Sequence, residues 1–237
     1  LTCAALRLHL TSLIESYGTP ILLSLLDQRG DEADLAAAFV RTIRTLAAEP
    51  EQPLSVRLCG FDFHASTRTS KAEGARALLT AIGAEAAAQG HFAIEEGGAS
   101  PLAEQRGVVR TNCLDCLNRT NMAQTWLALQ SATTQLRTLC GRAGHEPSAS
   151  LDATLQAALR KMWSDTGDAL AVQYTGFSNL TSVSKSGPED ADRRKSLVQR
   201  AGHLVEKGVK AANRYIQEQF LEDSRQQAID LMLCGGH

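Results

Sequence analysis

Cys113 and Arg119 stand six positions apart in the segment Arg110-Thr-Asn-Cys-Leu-Asp-Cys-Leu-Asn-Arg-Thr-Asn121. This C-x5-R spacing suits a thiolate that attacks phosphorus, provided that a strand precedes it and a helix follows. A tight loop between the two then aims several backbone N–H groups at one anion, and the helix N-terminus adds its partial positive charge. The same field stabilises a thiolate at the base of the loop, so Cys113 is expected to ionise readily and act as a nucleophile. Arg119 offers a planar fork matched to two phosphoryl oxygens. Thr120 has a hydroxyl to give to the sulfur as it departs. Asp115 is a carboxyl inside the loop that can protonate a leaving oxygen.

Spacing alone decides little, because six Cys and 18 Arg in 237 residues give roughly half a C-x5-R match by chance. Cys113-Leu-Asp-Cys116 is also a C-x-x-C, hence a redox pair or half of a zinc site. Zinc needs two further ligands, and the six His are scattered, with no second C-x-x-C. A redox pair fits a strand–helix junction but leaves Arg119, Thr120 and both flanking Asn residues without a role. A plain structural loop is the remaining alternative.

The elements that must position this segment follow from hydrophobic periodicity. Leu6, Leu10, Leu13, Ile14 and Tyr17 have helical spacing and stop at Gly18. The run from Pro20 to Leu26 reads as a buried strand. Asp31–Ala48 reads as an amphipathic helix with Leu35, Phe39, Ile43 and Leu46 on one face. Leu54–Phe63 is the next predicted strand, and Lys71–Gln89 an Ala-rich helix. Phe92–Ile94 is a short strand, broken by a loop from Gly97 to Pro101. Arg106–Arg110 is a strand and Asn121–Leu139 a long helix, which places the cysteine loop between the two. Beyond a loop from Gly141 to Ser150, helical patterns at Leu151–Trp163 and Leu197–Leu233 flank a polar stretch, Gly176–Asp192. Strand-then-helix order predicts an α/β fold, with a mostly parallel central sheet flanked by helices and a helical C-terminal part. In such sheets ligands bind beyond the carboxyl ends of the strands.

Composition narrows the function classes. With 43% hydrophobic residues and a formal net charge of −2, the chain has enough apolar sequence for a sizeable core. With 24 basic against 26 acidic residues it lacks the charge footprint of a duplex-DNA binder, so no nucleic-acid partner is expected. No apolar stretch approaches the roughly 20 residues of a membrane span. Six cysteines at irregular spacing are too few for a disulfide scaffold, which makes a reducing, cytoplasmic setting the default. Cys3, Cys59 and Cys140 are expected to be small buried hydrophobes.

The twelve-residue segment resembles the signature R-x-N-C-x-D-C-L-D-R-T-N of the Sac-domain phosphoinositide phosphatases, the family that includes the synaptojanin amino-terminal domain. Asn118 stands where that pattern has Asp. Tyr17-Gly18 through Leu25-Leu26-Asp27 resembles the family's "YG…NLLD", Phe61-Asp-Phe-His64 its "FDFH", and Gln105–Arg110 the approach to the signature. Trp163–Gly176 is similar to "W…nGd.ls.qYaGT", with Phe177 in place of the Thr. Asn213-Arg-Tyr215 and Asp223–Leu233 are similar to the family's closing stretch.

The resemblance implies a cysteine-phosphatase-like loop and hydrolysis of a phosphoinositide phosphate ester through a cysteinyl-phosphate. No cofactor or metal is implied. Cys113 would be the nucleophile, Arg119 the phosphate clamp, Asp115 the acid and Thr120 the hydroxyl on sulfur. Asn112, Leu114, Cys116, Leu117 and Asn118 would complete the substrate cradle, with Asp62, His64 and Lys185 contributing from outside it. Cys116 packs beneath the loop or closes a disulfide with an oxidised Cys113. Asp27 is expected to anchor a loop or contact the site, and Tyr174, Thr175 and Gly176 to line the cleft. Because Asn118 cannot deliver a proton, a weak or inactive phosphoinositide-binding module is the alternative. Arg193, Arg194, Lys195, Arg200, Lys207 and Lys210 would draw the protein to the cytosolic face of anionic membranes as a peripheral contact. Residues 1–237 are expected to be the catalytic portion of a Sac domain without the family's amino-terminal subdomain. The leucine at position 1 fits a piece of a longer polypeptide.

Overall fold

The computed structural model describes residues 2–142 and 144–175. The chain divides into two compact units, residues 1–159 and 160–237. In the first unit, α1 (Thr2–Tyr17) ends where Gly18 turns at φ +85°. A Cβ on Gly18 would lie 2.2 Å from the carbonyl oxygen of Arg106, and one on Gly107 would lie 2.5 Å from that of Thr19. Only glycine permits both approaches, and the two segments then feed adjacent strands side by side.

The first of these strands is β1 (Ile21–Ser24), followed by a 3-10 turn at Gly30–Glu32, α2 (Ala33–Ala47) and β2 (Arg57–Gly60). Next come α3 (Phe63–Thr67), α4 (Lys71–Ala88), a small antiparallel hairpin of β3 (Ala93–Ile94) and β4 (Pro101–Ala103), and β5 (Val109–Asn112). The chain continues into α5 (Asn118–Arg142) and α6 (Ala149–Thr175). β1 lies between β2 and β5 in a three-stranded, wholly parallel sheet. Ser24 pairs with both Gly60 and Asn112, so the three strands end level.

Burial of β1 on both faces explains why Ile21, Leu22 and Leu23 are apolar without alternation. Ile21, Leu23 and Leu25 pack with Leu78 and Ile82 of α4 and with Met122, Ala123 and Trp126 of α5. Leu22 points the other way, against Leu10 of α1 and Ile43 and Leu46 of α2. The unit is therefore a sheet between two helical layers, the α/β order that the sequence predicts.

Several boundaries differ from the sequence expectations. The second strand is only four residues long, because the Asp62 side chain accepts from the Ala65 N–H and turns Phe63 into the start of α3. The expected 97–101 loop ends in β4, which pairs back on β3. The last strand runs two residues beyond Arg110, and α5 begins at Asn118 rather than Asn121. Leu35 is exposed, although Phe39, Ile43 and Leu46 of the same helix face the core. Only Cys59 of the three expected buried cysteines is buried. Cys3 is exposed one turn short of Leu6, where α1 begins to pack, and Cys140 near the end of α5 is half-exposed. Helix α6 covers the predicted Leu151–Trp163 and extends to Thr175. The polar stretch from Gly176, the 197–233 helix, Lys185 and the basic cluster lie outside the described residues.

Candidate active site

Parallel strands that end level deliver three loops to one edge of the sheet. β1 leads into residues 25–32, β2 into 61–64 and β5 into 113–117. From β1 the chain leaves towards β2 on one side and returns through β5 on the other, and this reversal of winding is where open α/β sheets bind their ligands. Asn112 ties the two flanking strands together at this point. Its backbone carbonyl accepts from Leu25 N–H at 2.8 Å, its Nδ2 reaches Ser24 Oγ at 3.4 Å, and its Oδ1 accepts from Arg110 at 2.8 Å.

Cys113 follows β5 directly and is buried, 7% exposed. Two donors converge on its sulfur, the Cys116 backbone N–H at 3.1 Å and the Thr120 hydroxyl at 3.3 Å. Thr120 reaches it from the first turn of α5 and is itself buried. Cys116 turns the loop at φ +54°, a left-handed conformation that a non-glycine residue seldom adopts. Its Sγ faces back to the Cys113 N–H at 3.5 Å. Asp115 closes the loop, with Oδ1 accepting from Leu117 N–H at 3.0 Å and lying 3.5 Å from Cys113 Sγ.

The two thiols are hydrogen-bonded to each other and share one negative charge between them. That bond, together with the backbone N–H and the Arg110 charge, brings Cys116 down to about 5. Its thiolate and burial hold the Cys113 thiol far above its ordinary value, against the opposing pull of Thr120. The loop stabilises one thiolate within this coupled pair, and its donors converge on Cys113 Sγ.

Arg119 extends from the first turn of α5 to the loop after β1. Its Nη1 donates to the carbonyl of Leu25 at 3.1 Å and to Glu32 Oε2 at 2.9 Å, and Nη2 donates to Glu32 Oε1 at 2.6 Å. The ion pair is largely buried, each side chain 13% exposed. Glu32 Oε2 also accepts from the Asp27 backbone N–H at 2.9 Å. The Arg119 hydrogen bonds hold the Glu32 carboxyl below its ordinary value, despite the opposing effect of burial. Asp27 Oδ1 lies 3.7 Å from Arg119 Nη1, and the Asp27 carboxylate grips His64 Nδ1 at 2.9 and 3.0 Å.

Of the other expected site residues, Leu117 is buried beneath the loop while Leu114 projects from it, 62% exposed. Asn118 opens α5 with its Oδ1 buried and unpartnered among the described residues. Asp62 caps α3. Tyr174 lies in α6, exposed. Glu32 was not singled out from the sequence. The string Asp27-Gln-Arg-Gly-Asp-Glu32 carries three acids around a glycine, and nothing in its spacing tells which one turns towards an arginine 87 residues away. Among the described residues no group of three or more His, Cys, Asp or Glu could hold a metal ion.

Comparison with known proteins bears on the loop and its surroundings together. Residues 1–68 match the family model of the SacI homology domain. The phosphoinositide phosphatase SAC8 of Arabidopsis thaliana is 31% identical over 227 residues, 94% of this chain and 35% of that protein. The phosphatidylinositol-3-phosphatase SAC1 of Drosophila melanogaster is 31% identical over 97% of this chain and 36% of that protein. Along nearly its whole length this chain is similar to Sac-domain proteins. Rat synaptojanin-1 is 30% identical over 96% of the chain, which corresponds to 13% of that longer protein. The chain spans about a third of the length of the first two relatives. The Sac-family match in residues 1–68 ends just past α3. It thus includes Asp27, Glu32 and His64, the network around Arg119, while the cysteine loop lies in the part that only the full-length relatives cover.

Proposed function

We propose that this chain is a phosphoinositide phosphatase of the Sac family, removing a phosphate monoester from the inositol ring by way of a cysteinyl-phosphate. The observation that carries this is the convergence of the Cys116 N–H and the Thr120 hydroxyl on Cys113 Sγ, with a charged arginine in the first turn of α5. Such a sulfur has donors ready to stabilise it both as an attacking and as a leaving thiolate. The names of SAC8 and SAC1, each describing an inositide phosphatase, support the substrate class.

In the first step Cys113 Sγ attacks phosphorus while its proton passes to the Cys116 thiolate, its hydrogen-bonded neighbour. The phosphorus–oxygen bond breaks, and the inositol oxygen takes a proton from Asp115. Arg119 and the loop N–H groups hold the phosphoryl oxygens. Water then attacks the cysteinyl-phosphate and gives its proton to the Asp115 carboxylate; the sulfur–phosphorus bond breaks, phosphate leaves, and Thr120 stabilises the departing Cys113 sulfur until it regains its proton from Cys116. No metal ion or cofactor enters these steps. Residues 1–237 act as the catalytic portion of a Sac domain. Work at a lipid surface suits Leu114, an exposed apolar side chain next to the nucleophile. Lys185 and the 193–210 cluster supply the peripheral contact with the cytosolic face of anionic membranes.

One observation favours a second possibility, a weakly active or inactive inositide-binding module: Asn118 lacks an acidic proton to give. Phosphate release from a panel of short-chain mono- and bisphosphorylated inositides separates the two. An enzyme releases phosphate from at least one member and loses this in Cys113→Ser, while the variant still binds it. Binding by the unchanged chain without release selects the module.

A further inference from the structure

A guanidinium has five N–H donors and two usable edges, an end formed by Nη1 and Nη2 and a side formed by Nε and Nη2. In Arg119 the end is filled. Glu32 takes Nη1 and Nη2 in a bidentate pair at 2.9 and 2.6 Å, and the Leu25 carbonyl takes the second Nη1 proton at 3.1 Å. The side edge has no hydrogen-bond partner among the described residues. Glu32 is held in turn. It closes the Gly30–Glu32 turn, and its Oε2 accepts from the Asp27 backbone N–H in the loop after β1. With both side chains 13% exposed, the pair is fixed at the carboxyl edge of the sheet.

We propose that Glu32 is a positioning residue, fixing the guanidinium of Arg119 by its Nη1–Nη2 end so that its Nε–Nη2 edge is presented to the phosphoryl group. This rests on the phosphatase reading for the identity of the anion, and the geometry itself applies to any tetrahedral oxyanion in the loop. Held only by its flexible stem, Arg119 would have to be ordered by each incoming substrate. Gripped at one end, it is ordered beforehand, and the ordering cost falls outside the binding step. A misplaced phosphate clamp costs up to about a hundredfold in rate.

A carboxylate beside an anion site also repels the anion, and this gives the test a sign. If Glu32 is merely a neighbour, or a plug that substrate must displace, neutralising it strengthens oxyanion binding. If it positions Arg119, neutralising it weakens binding. Tungstate is the probe, titrated calorimetrically into the full chain and into Glu32→Gln and Glu32→Ala. Binding about tenfold weaker in Glu32→Gln, weaker still in Glu32→Ala, with unfolding temperature near that of the unchanged chain, is the expected result. In an Arg119→Ala background the same Glu32→Gln change should no longer weaken tungstate binding and should slightly strengthen it, because only the repulsive charge remains to be lost. A structural role for Glu32 would weaken binding in both backgrounds.

Tighter or unchanged tungstate binding in Glu32→Gln overturns the inference, as does equal weakening with and without Arg119. Should Glu32→Ala not fold, the Glu32→Gln pair of measurements carries the decision. Phosphate release from a short-chain inositide, run in parallel, keeps the two claims apart. Release with no effect of Glu32→Gln on kcat or tungstate affinity removes the positioning role and leaves the phosphatase. The predicted tungstate pattern without release removes the phosphatase and leaves the positioning role.

Discussion

Asn118 places an amide where the Sac signature carries a carboxylic acid, and its Oδ1 is buried without a donor among the described residues. An aspartate there would have one oxygen desolvated and unpaired, which favours the neutral acid. Asn118→Asp should therefore hold a proton near neutral pH and be able to deliver it to a leaving alkoxide. A rise in kcat of about tenfold on lipid substrates is expected, with little change on aryl phosphates, whose leaving group needs no proton. Single-turnover rates on the two substrate types check this, and an unchanged lipid rate means that Asp115 suffices alone. The thiols make a second prediction. Because Cys116 is lowered to about 5, its thiolate is fully present at neutral pH and is lost as pH falls through that value. Alkylation of Cys116 by iodoacetamide should be level from pH 7 to 9 and fall to half near pH 5, with the label mapped by mass spectrometry. A rate that climbs through pH 9 would show an ordinary thiol. The placing of the loop between a strand and a helix was legible from the residues, but the contact between its sulfurs was not. C-x5-R and C-x-x-C share Cys113, and only the folded loop shows that each backbone N–H of Cys113 and Cys116 meets the other's sulfur.

At the scale of elements, the helices were easier to read than the strands. Helix α4 matches its periodicity to within a residue, and Leu22 through Leu26 announce a doubly buried strand. β2 was overextended because Leu54–Phe63 alternates and branches like a strand until Asp62, and a side chain that caps three residues ahead leaves no hydrophobic signal. That cap also bears on Asp62 as an expected substrate contact. If capping is its whole task, Asp62→Asn should be nearly silent in both stability and turnover, while Asp62→Ala should cost about 1 kcal/mol in denaturant unfolding. Turnover lost in Asp62→Asn at unchanged stability would instead put the carboxylate in contact with substrate. The Glu32 pair shows why the rest of the site was hidden. It joins the turn after β1 to the first turn of α5, and only parallel pairing of β1 with β5 makes them neighbours.

For the whole molecule, the sequence predicts a sheet-centred α/β unit with the cysteine loop between a strand and a helix, and the first unit has that form. Segments that looked unrelated along the chain meet there for physical reasons. Gly18 and Gly107 let two backbones approach closely, and the level strand ends bring Asp27, His64 and Cys113 to one edge. The similarity to SAC8 and SAC1 extends over nearly the entire chain, the cysteine loop included. The central claim is that Cys113 carries phosphate during turnover. Mixing the chain with a short-chain inositide phosphate that it hydrolyses, quenching within milliseconds and mapping the peptides by mass spectrometry tests this most directly. The expected result is phosphate on the peptide containing Cys113, formed in the first turnover and absent from Cys113→Ser. Hydrolysis that continues in Cys113→Ser, or phosphate found on Cys116 instead, would contradict it.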